Sequence, residues 1–214
     1  MKVGQSGWDL LGMVNDVLVV ARIESGNVRL QTDTLNLTEL LEATTAMRAS
    51  DAQARTITIS QDLAPGTTGL FGDATRVKQI LTNLLSNAVK YNRDAGRIHI
   101  ASRVIALDTV EIAVTDTGLG MTARQMDELF QPFNRLGRER SNTHQGTGIG
   151  LVISQRLAEL MGGSLKARSV AGQGSSFILT LPRVIDPDTV RSDLDPLESA
   201  PAEYHRRVVH YVED

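Results

Sequence analysis

The sequence predicts an α+β fold: a two-layer sandwich of a mixed, mainly antiparallel sheet and three helices, preceded by one long helix. Two observations lead to this class. Long segments with apolar residues at helical spacing lie between short segments in which apolar and polar residues alternate. The alternating segments come in hairpin-like pairs, such as the two that flank the turn 171–174. The chain has 214 residues, 41% of them hydrophobic, which is enough to fill a core between the layers.

The helices are predicted from apolar periodicity together with capping signals. The first has apolar residues on more than one face, which favours a helix with partners on several sides, and Gly26 ends it. Asn36 with Glu39, and Thr122 with Gln125, have the spacing of capping boxes. The predicted helices are 7–25, 36–54, 73–92, 122–130 and 148–161.

The strands are predicted from period-two alternation between turn residues. Because most of them are paired through short loops, the sheet is expected to be largely antiparallel. The predicted strands are 56–60, 97–105, 110–115, 164–170 and 176–181.

The composition excludes several classes of site. The chain has no cysteine, which rules out thiolate metal sites, a cysteine nucleophile and disulfides. No two of its four histidines have the i, i+4 spacing of a helical zinc site. No segment reaches the roughly 18 apolar residues of a membrane span, and the net charge of −3 gives no general argument for nucleic acid. We therefore expect a cytoplasmic chain without a membrane segment or a nucleic-acid partner.

The charge of the chain changes near residue 185. Residues 186–214 contain eight acidic residues, three arginines and three of the six prolines, a net charge of −5, whereas residues 1–185 carry +2. This difference predicts that a folded body over 27–185 is followed by an acidic, extended linker over 186–205.

The helix predicted after Asp73 carries a narrow polar stripe beside its apolar arc. Asn83, Asn87 and Lys90 stand at positions i, i+4 and i+7. Amide oxygens can coordinate a hard cation, and an ammonium group can pair with phosphate. Taken alone, the stripe also fits an ordinary solvated helix face. Two asparagines one turn apart beside the core arc favour the binding interpretation, because asparagine is a poor helix former.

A second candidate is the loop after the strand 110–115, which we call the Asp116 loop (residues 116–121). Asp116 is followed by Gly118 and Gly120, and then by the capping box of the next helix. A carboxylate can accept a hydrogen bond from an amino group, and glycines allow a flat ring to approach the backbone. A plain strand-to-helix turn fits the same residues.

A third candidate is the glycine pattern G-T-G-I-G-L over 146–151, which leads into a helix. The N-terminus of a helix presents N–H groups and positive dipole to an anion. The pattern is not a Walker A motif, and it lacks the preceding strand of a dinucleotide fingerprint. The stretch 134–145 before it contains three arginines and suggests a cationic lid, although each arginine also fits an ordinary exposed position.

Taken together and in this order, these elements resemble the ATP-binding domain of sensor histidine kinases, in the superfamily of gyrase, chaperone, histidine kinase and MutL ATPases. The match covers roughly residues 30–183, and five boxes in the right order are far more specific than any single one. The resemblance implies the Bergerat-type sandwich fold. The boxes are the N box (83–91), the G1 box (116–120), the F box (130–133), the G2 box (146–151) and a last glycine motif (172–177).

The resemblance implies ATP and Mg²⁺ as cofactors and assigns four catalytic residues. Asn87 would supply the protein oxygen to Mg²⁺, and Asn83 would support the waters of the metal or a phosphate. Lys90 would reach phosphate. Arg135 would assist the γ-phosphoryl group during transfer.

The resemblance also implies how the rest of the nucleotide is held. Asp116 would accept a hydrogen bond from the adenine amino group, helped by Ser175, and Tyr91 would lie against the nucleotide. Gly148 and Gly150 would present backbone amides to the phosphates. The other implied nucleotide-binding residues are Gly118, Gly120, Phe130, Phe133, Gly146, Thr147 and Leu151.

One position separates branches of the superfamily. Branches that hydrolyse ATP have a glutamate general base where this chain has Asn83. An amide cannot take a proton from water at neutral pH. Asn83 therefore favours transfer to a protein nucleophile over hydrolysis.

Both ends of the chain extend the resemblance to a hybrid kinase. Residues 1–26 resemble the second helix of a dimerisation hairpin, and 206–214 resemble the start of a receiver domain. None of the histidines (His99, His144, His205 and His210) has the surroundings of a phosphoacceptor. The acceptor is therefore expected on a hairpin helix outside this chain, and the isolated chain is expected not to phosphorylate itself. The implied partners are that hairpin, a downstream response regulator or receiver domain, and a second copy in a homodimer.

Two other functions remain open at this point. A serine/threonine kinase of the anti-sigma type shares the ATP site, and a nucleotide-binding module without transfer activity would share it too. The hairpin-like first helix and the receiver-like tail favour the histidine kinase over the anti-sigma kinase. The competent residues in all of the boxes favour it over the inactive module.

Overall fold

The computed structural model describes residues 18–19, 21, 23, 25–26, 28–134 and 148–184. The predicted helix 7–25 therefore lies mostly outside the described residues, and the predicted linker and receiver-like tail lie wholly outside them. Leu18, Val19, Ala21 and Ile23 are helical, and Ile23 belongs to the core.

Strands and helices are interspersed along the chain. In order they are β1 (Thr32–Asn36), α1 (Leu37–Ala46), α2 (Ala49–Ala54), β2 (Thr58–Leu63), β3 (Gly69–Asp73), α3 (Ala74–Lys90), β4 (Arg97–Ala106), β5 (Thr109–Asp116), α4 (Ala123–Asp127), α5 (Gly150–Leu160), β6 (Ser164–Val170) and β7 (Gly174–Pro182).

The main sheet is mixed, as predicted. Within the described ranges it has five strands in the order β2-β4-β5-β7-β6, and β1 and β3 form a separate antiparallel pair. β2 runs parallel to β4, whereas the other neighbours in the main sheet are antiparallel. β5 therefore lies in the middle of the sheet and ends at Asp116.

The second layer consists of α1, α3 and α5, with α3 packed between the other two. The predicted apolar arc of α3 is confirmed, because all of its members are buried: Val77, Ile80, Leu81, Leu84, Leu85 and Ala88. They meet the inward-facing side chains of β4, β5 and β7, such as Ile98, Ile112 and Leu179. The predicted α+β sandwich is confirmed. None of the helices in the described part of the chain is long and apolar enough to cross a membrane.

Several predicted elements have different bounds, and the helix predicted over 122–130 is shorter, Ala123–Asp127. The single helix predicted over 36–54 is two helices, α1 and α2, which are separated at Met47 and Arg48. Near the end of α1 the Thr44 hydroxyl donates to the carbonyls of Leu40 and Leu41, a bond that competes with the backbone ladder. The strand predicted over 56–60 begins at Thr58, because Thr56 has a φ of 55° and belongs to the turn after α2.

β1 and β3 are not predicted from the sequence. β3 contains two glycines in five residues, and four of the five residues of β1 are exposed, so neither shows a clear apolar alternation. Their pairing delivers Asp73, the last residue of β3, to the start of α3. The β1–β3 pair thus orients the helix that carries the candidate site.

Candidate functional site

The N-terminal end of α3 is fixed by Asp73, which is 7% exposed. Its Oδ1 accepts a hydrogen bond from the backbone N–H of Arg76 at 3.1 Å and so caps the helix. Its Oδ2 accepts from the N–H of Gln31 at 2.9 Å. The carboxylate also complements the positive end of the helix dipole. One side chain therefore ties the chain segment before β1 to the helix of the site.

The polar stripe of α3 lies where α3 meets α5. Asn83, Asn87 and Lys90 are all half-buried. The Asn83 side-chain amide donates to the hydroxyl of Ser154 on α5 at 2.9 Å, and Ser154 is 1% exposed. A Cβ at Gly150 would lie 2.6 Å from Asn83 Oδ1, so a larger residue at the start of α5 would displace the Asn83 side chain. The structure thus brings Gly150 against the stripe.

The end of α3 places Lys90 beside Tyr91. The Lys90 ammonium lies 5.0 Å from the centroid of the Tyr91 ring, which is a cation–π geometry. Both side chains are half-buried. The contact holds a positive charge and a flat ring next to each other at the open end of the stripe.

Asp116 and Ser175 face each other across neighbouring strands. They are register partners in the β5–β7 pair, and Asp116 is 6% exposed. Asp116 Oδ1 accepts from the backbone N–H of Gly118 at 2.7 Å, which closes the turn at the end of β5. A buried carboxylate requires hydrogen-bond donors, because an ion without them is costly to bury. The pair places two polar groups at one end of the central strands.

The Asp116 loop docks on the end of α3. The N–H of Leu119 donates to the carbonyl of Tyr91 at 3.0 Å, and a Cβ at Gly118 would collide with that same carbonyl oxygen. Gly120 has a φ of 61°, and a Cβ there would collide with the carbonyl of Val170. The sequence analysis assigned these glycines to the approach of a ligand ring. The structure supplies a packing reason at both positions.

Sequence reasoning missed Ser169, which connects this loop to the β6–β7 turn. Its hydroxyl accepts from the N–H of Met121 at 2.9 Å and donates to the carbonyl of Gly174 at 2.8 Å. The Ser175 hydroxyl lies 3.0 Å away. Since Ser169 has one hydrogen, and it goes to Gly174, the Ser175 hydroxyl donates to Ser169. The Ser175 oxygen can then accept a hydrogen bond through its lone pairs. The sequence gives no local signal that Ser169, a serine within a strand, orients the hydroxyl of Ser175.

The F box begins in the core and ends on the surface. Phe130 is partly buried against the core, whereas Phe133 is 58% exposed and has a φ of 64°.

Glu128, just before the F box, has a lowered pKa. The cause is the hydrogen bonds that it accepts from Asn134 at 3.2 Å and Arg124 at 3.3 Å. The stabilisation from a lowered carboxyl pKa is present above the usual glutamate range and is lost as the pH falls through the lowered value.

The G2 box is described from Gly148 onward. Gly148 has a φ of 73°, Ile149 is 1% exposed at the N-cap position, and Leu151 is half-buried against the core. An isoleucine side chain has no atom that accepts hydrogen bonds from the first N–H groups of α5, and the N-terminus of a helix suits an anion. Arg135, Gly146 and Thr147, and the predicted lid apart from Asn134, lie outside the described residues.

The side chains of the site fit a metal ion that is coordinated mainly by phosphate and water and by few protein atoms. Among the described residues, no group of three or more His, Cys, Asp or Glu side chains could hold a metal ion. Mg²⁺ commonly takes one or two protein oxygens and completes its shell with phosphate and water. The amide oxygen of Asn87, one turn along α3 from the Asn83 side chain that lies against Gly150, suits that arrangement.

Comparisons with known proteins agree with this geometry. Residues 72–185 match the family model described as "Histidine kinase-, DNA gyrase B-, and HSP90-like ATPase". The sensor protein GacS of Pseudomonas syringae pv. syringae is 34% identical over 99% of this chain and 25% of its own length. The sensor protein TorS of Escherichia coli K12 is 37% identical over 84% of this chain and 19% of its own. The chain thus spans a quarter or less of these relatives.

A solved structure supports the fold. The crystal structure of full-length ShkA in complex with AMPPNP superposes with a TM-score of 0.74 at 30% identity, covering 85% of this chain and 37% of that one. The family match extends from the start of α3 through β7 and confirms the resemblance drawn from the boxes. The chain therefore belongs to the family of histidine kinase-, DNA gyrase B- and HSP90-like ATPases.

Proposed function

We propose that this chain is the catalytic region of a two-component sensor histidine kinase. In this proposal it binds Mg-ATP and transfers the γ-phosphoryl group to a histidine on a dimerisation hairpin helix outside the chain. The observation that carries the proposal is that three of the sequence motifs meet at the last two turns of α3. Gly150 lies against Asn83, and the Asp116 loop docks on Tyr91, so the three motifs line one helix.

The phosphate end of the site is assigned to the stripe and to the start of α5. Asn87 offers its amide oxygen to Mg²⁺, and Lys90 offers its charge to a phosphate. Gly148 and Gly150 present backbone N–H groups at a helix N-terminus. Mg²⁺ supplies charge neutralisation between the phosphates when it is bound. Arg135, from the proposed lid, assists the γ-phosphoryl group.

The base end is assigned to Asp116 and Ser175. Both present acceptors, the first as a carboxylate and the second because its hydrogen goes to Ser169. Two acceptors at the end of the sheet suit an adenine amino group, which carries two donor hydrogens. Tyr91 lies against the nucleotide. The AMPPNP bound to ShkA supports an adenine nucleotide as the ligand.

Asn83 favours transfer over hydrolysis. Its amide nitrogen donates to Ser154, and an amide has no basic site for a water proton at neutral pH. A histidine ring is already a nucleophile, so transfer requires chiefly positioning and charge neutralisation.

The proposal also includes the parts of the chain outside the described residues. Residues 1–26 are assigned to a dimerisation hairpin, 27–185 to the catalytic domain, 186–205 to a linker and 206–214 to the start of a receiver domain. The partners are the hairpin of the same kinase in a cytoplasmic homodimer, and a downstream response regulator or receiver domain. The full-length relatives GacS and TorS are sensor proteins, which supports this assignment.

A phosphotransfer assay tests the proposal. The chain is incubated with labelled ATP, Mg²⁺ and a dimerisation hairpin supplied in trans, and acid-labile phosphate on the hairpin is measured. The wild type is expected to transfer. Asn87→Ala is expected to fail, because it removes the protein oxygen for the metal.

Asn36→Ala is the matched control. It removes the N-cap of α1, at a cost of about 1 kcal/mol of stability, from a residue outside the site. This variant is expected to transfer like the wild type. Equal transfer by Asn87→Ala and the wild type would overturn the assignment of Asn87 to the metal. Absence of acid-labile phosphate with the wild type would overturn the assignment of the chain as part of a histidine kinase.

A further inference from the structure

We propose that Arg55 is a positioning residue for the nucleotide site: its guanidinium holds the C-terminal end of α3, on which the Asp116 loop docks. The inference rests on the proposed function, because the site that Arg55 orders is the proposed nucleotide site.

The contacts of Arg55 converge on the end of α3. Nη1 donates to the carbonyl of Val89 at 2.6 Å and to that of Lys90 at 3.3 Å. Nη2 donates to the carbonyl of Asn92 at 2.6 Å. The last carbonyls of a helix lack partners within the helix, and a cation there also complements the negative end of the dipole. Arg55 therefore caps α3 from a distant part of the sequence.

The backbone at Arg55 holds the same turn. Its carbonyl accepts from the N–H of Ala95 at 3.0 Å, and the N–H of Thr58 donates to the carbonyl of Gly96 at 3.0 Å. Within the turn, Asn92 is 3% exposed and donates to the carbonyl of Arg97 at 3.2 Å. The turn after α3 is thus held from outside by Arg55 and from inside by Asn92.

The position of this turn determines where the Asp116 loop lies. Tyr91 stands between the carbonyls that Arg55 binds, and its own carbonyl accepts from Leu119 at 3.0 Å. Gly118 lies against the same carbonyl. A shift of the α3 end would therefore move Tyr91, and with it the loop that orients Asp116. This chain of contacts makes Arg55 a positioning residue with no contact of its own to the ligand.

Arg183 provides a matched control at the other end of the sheet. Its Nε donates to the carbonyl of Leu107 at 2.6 Å and its Nη1 to that of Gly66 at 3.1 Å. It is an arginine that binds backbone carbonyls, as Arg55 does. The β5–β7 register places it beyond Pro182, at the opposite end from Asp116 and Ser175.

The experiment compares Arg55→Met and Arg183→Met in the full chain. Affinity for Mg-AMPPNP is measured by calorimetry, and amide hydrogen exchange is measured without nucleotide. Arg55→Met is expected to raise the Kd about tenfold, which is the effect of 1.4 kcal/mol. It is also expected to speed amide exchange at Leu119. Exchange at Val184, whose N–H donates to the carbonyl of Gly69, is expected to stay unchanged. Arg183→Met is expected to speed exchange at Val184 and to leave the Kd and Leu119 unchanged.

Two further variants keep the test decisive. Arg55→Lys retains the positive charge but lacks the two guanidinium nitrogens that bind separate carbonyls, and it is expected to recover part of the affinity. It replaces Arg55→Met if that variant does not fold. Asp94→Asn removes the ion pair at 2.9 Å with an 82% exposed carboxylate, leaves the carbonyl bonds, and is expected to bind like the wild type.

The outcomes separate the two proposals. Wild-type Kd and wild-type Leu119 exchange in the Arg55 variants would overturn the positioning role, as would an equal rise in Kd for Arg183→Met. If the wild type itself bound no Mg-AMPPNP, the proposed function would fail. The exchange at Leu119 would then still decide whether Arg55 orders the loop.

Discussion

The two ends of the β5–β7 strand pair are built from the same kinds of contact, yet only one has the features of a binding site. At each end an arginine binds backbone carbonyls, namely Arg55 near the Asp116 loop and Arg183 at the other end. Each end also has a glycine pressed against a carbonyl, Gly118 against Tyr91 and Gly163 against Thr180. The ends lie about 24 Å apart, at 3.4 Å for each residue of β5.

The difference lies in what is placed on this scaffold. One end has the buried carboxylate of Asp116 and the polar stripe of α3. The other has exposed apolar side chains, Ile105 at 47% and Leu107 at 58%, and an exposed carboxylate, Asp108. Glycines against carbonyls and arginines on carbonyls are therefore architecture at both ends. The buried charge and the amides distinguish the site.

The largest expected effect comes from the two glycines. Gly118→Ala and Gly163→Ala each place a Cβ against a carbonyl oxygen, so each is expected to cost about 3 kcal/mol of stability through overpacking. Thermal unfolding measures that loss. Calorimetry with Mg-ATP is expected to show weakened binding for Gly118→Ala alone. Equal affinities in the two folded variants would mean that the Asp116 loop tolerates displacement.

A smaller effect is expected from removing the charge of the buried carboxylate. Asp116→Asn keeps an oxygen that can accept from Gly118 but loses the ion, and is expected to weaken nucleotide binding by roughly 1.5–3 kcal/mol. Asp108→Asn makes the same change on an exposed residue at the other end and is expected to leave affinity unchanged. Unchanged ATP affinity of Asp116→Asn in calorimetry would remove Asp116 from the site.

The comparison also explains what the sequence could predict. The apolar arc of α3 and the paired strands follow from local periodicity, so the layers and most strands were predicted. The stripe and the Asp116 loop were found because each is a local pattern. β3 was missed because its two glycines interrupt the alternation.

The missed site residues act through distant contacts. Arg55 reaches carbonyls 34 to 37 residues away, and Ser154 pairs with Asn83 across 71 residues. An arginine or a serine that binds across such separations leaves no period or spacing in its own segment. Only the fold reveals that these ordinary residues hold the ones that carry a motif.

The smallest effect separates two serines of β6. Ser169→Ala removes the acceptor of the Met121 N–H and of the Ser175 hydroxyl, and Ser164→Ala removes a hydroxyl pair with Thr180 at 2.9 Å. Each is expected to cost about 1 kcal/mol of stability. Only Ser169→Ala is expected to weaken Mg-ATP binding, about fivefold, because the Ser175 hydroxyl then loses its fixed direction. If both variants bound ATP like the wild type, the direction of the Ser175 hydroxyl would have no part in recognising the base. If Ser164→Ala weakened binding equally, the two ends of β6 would not be independent.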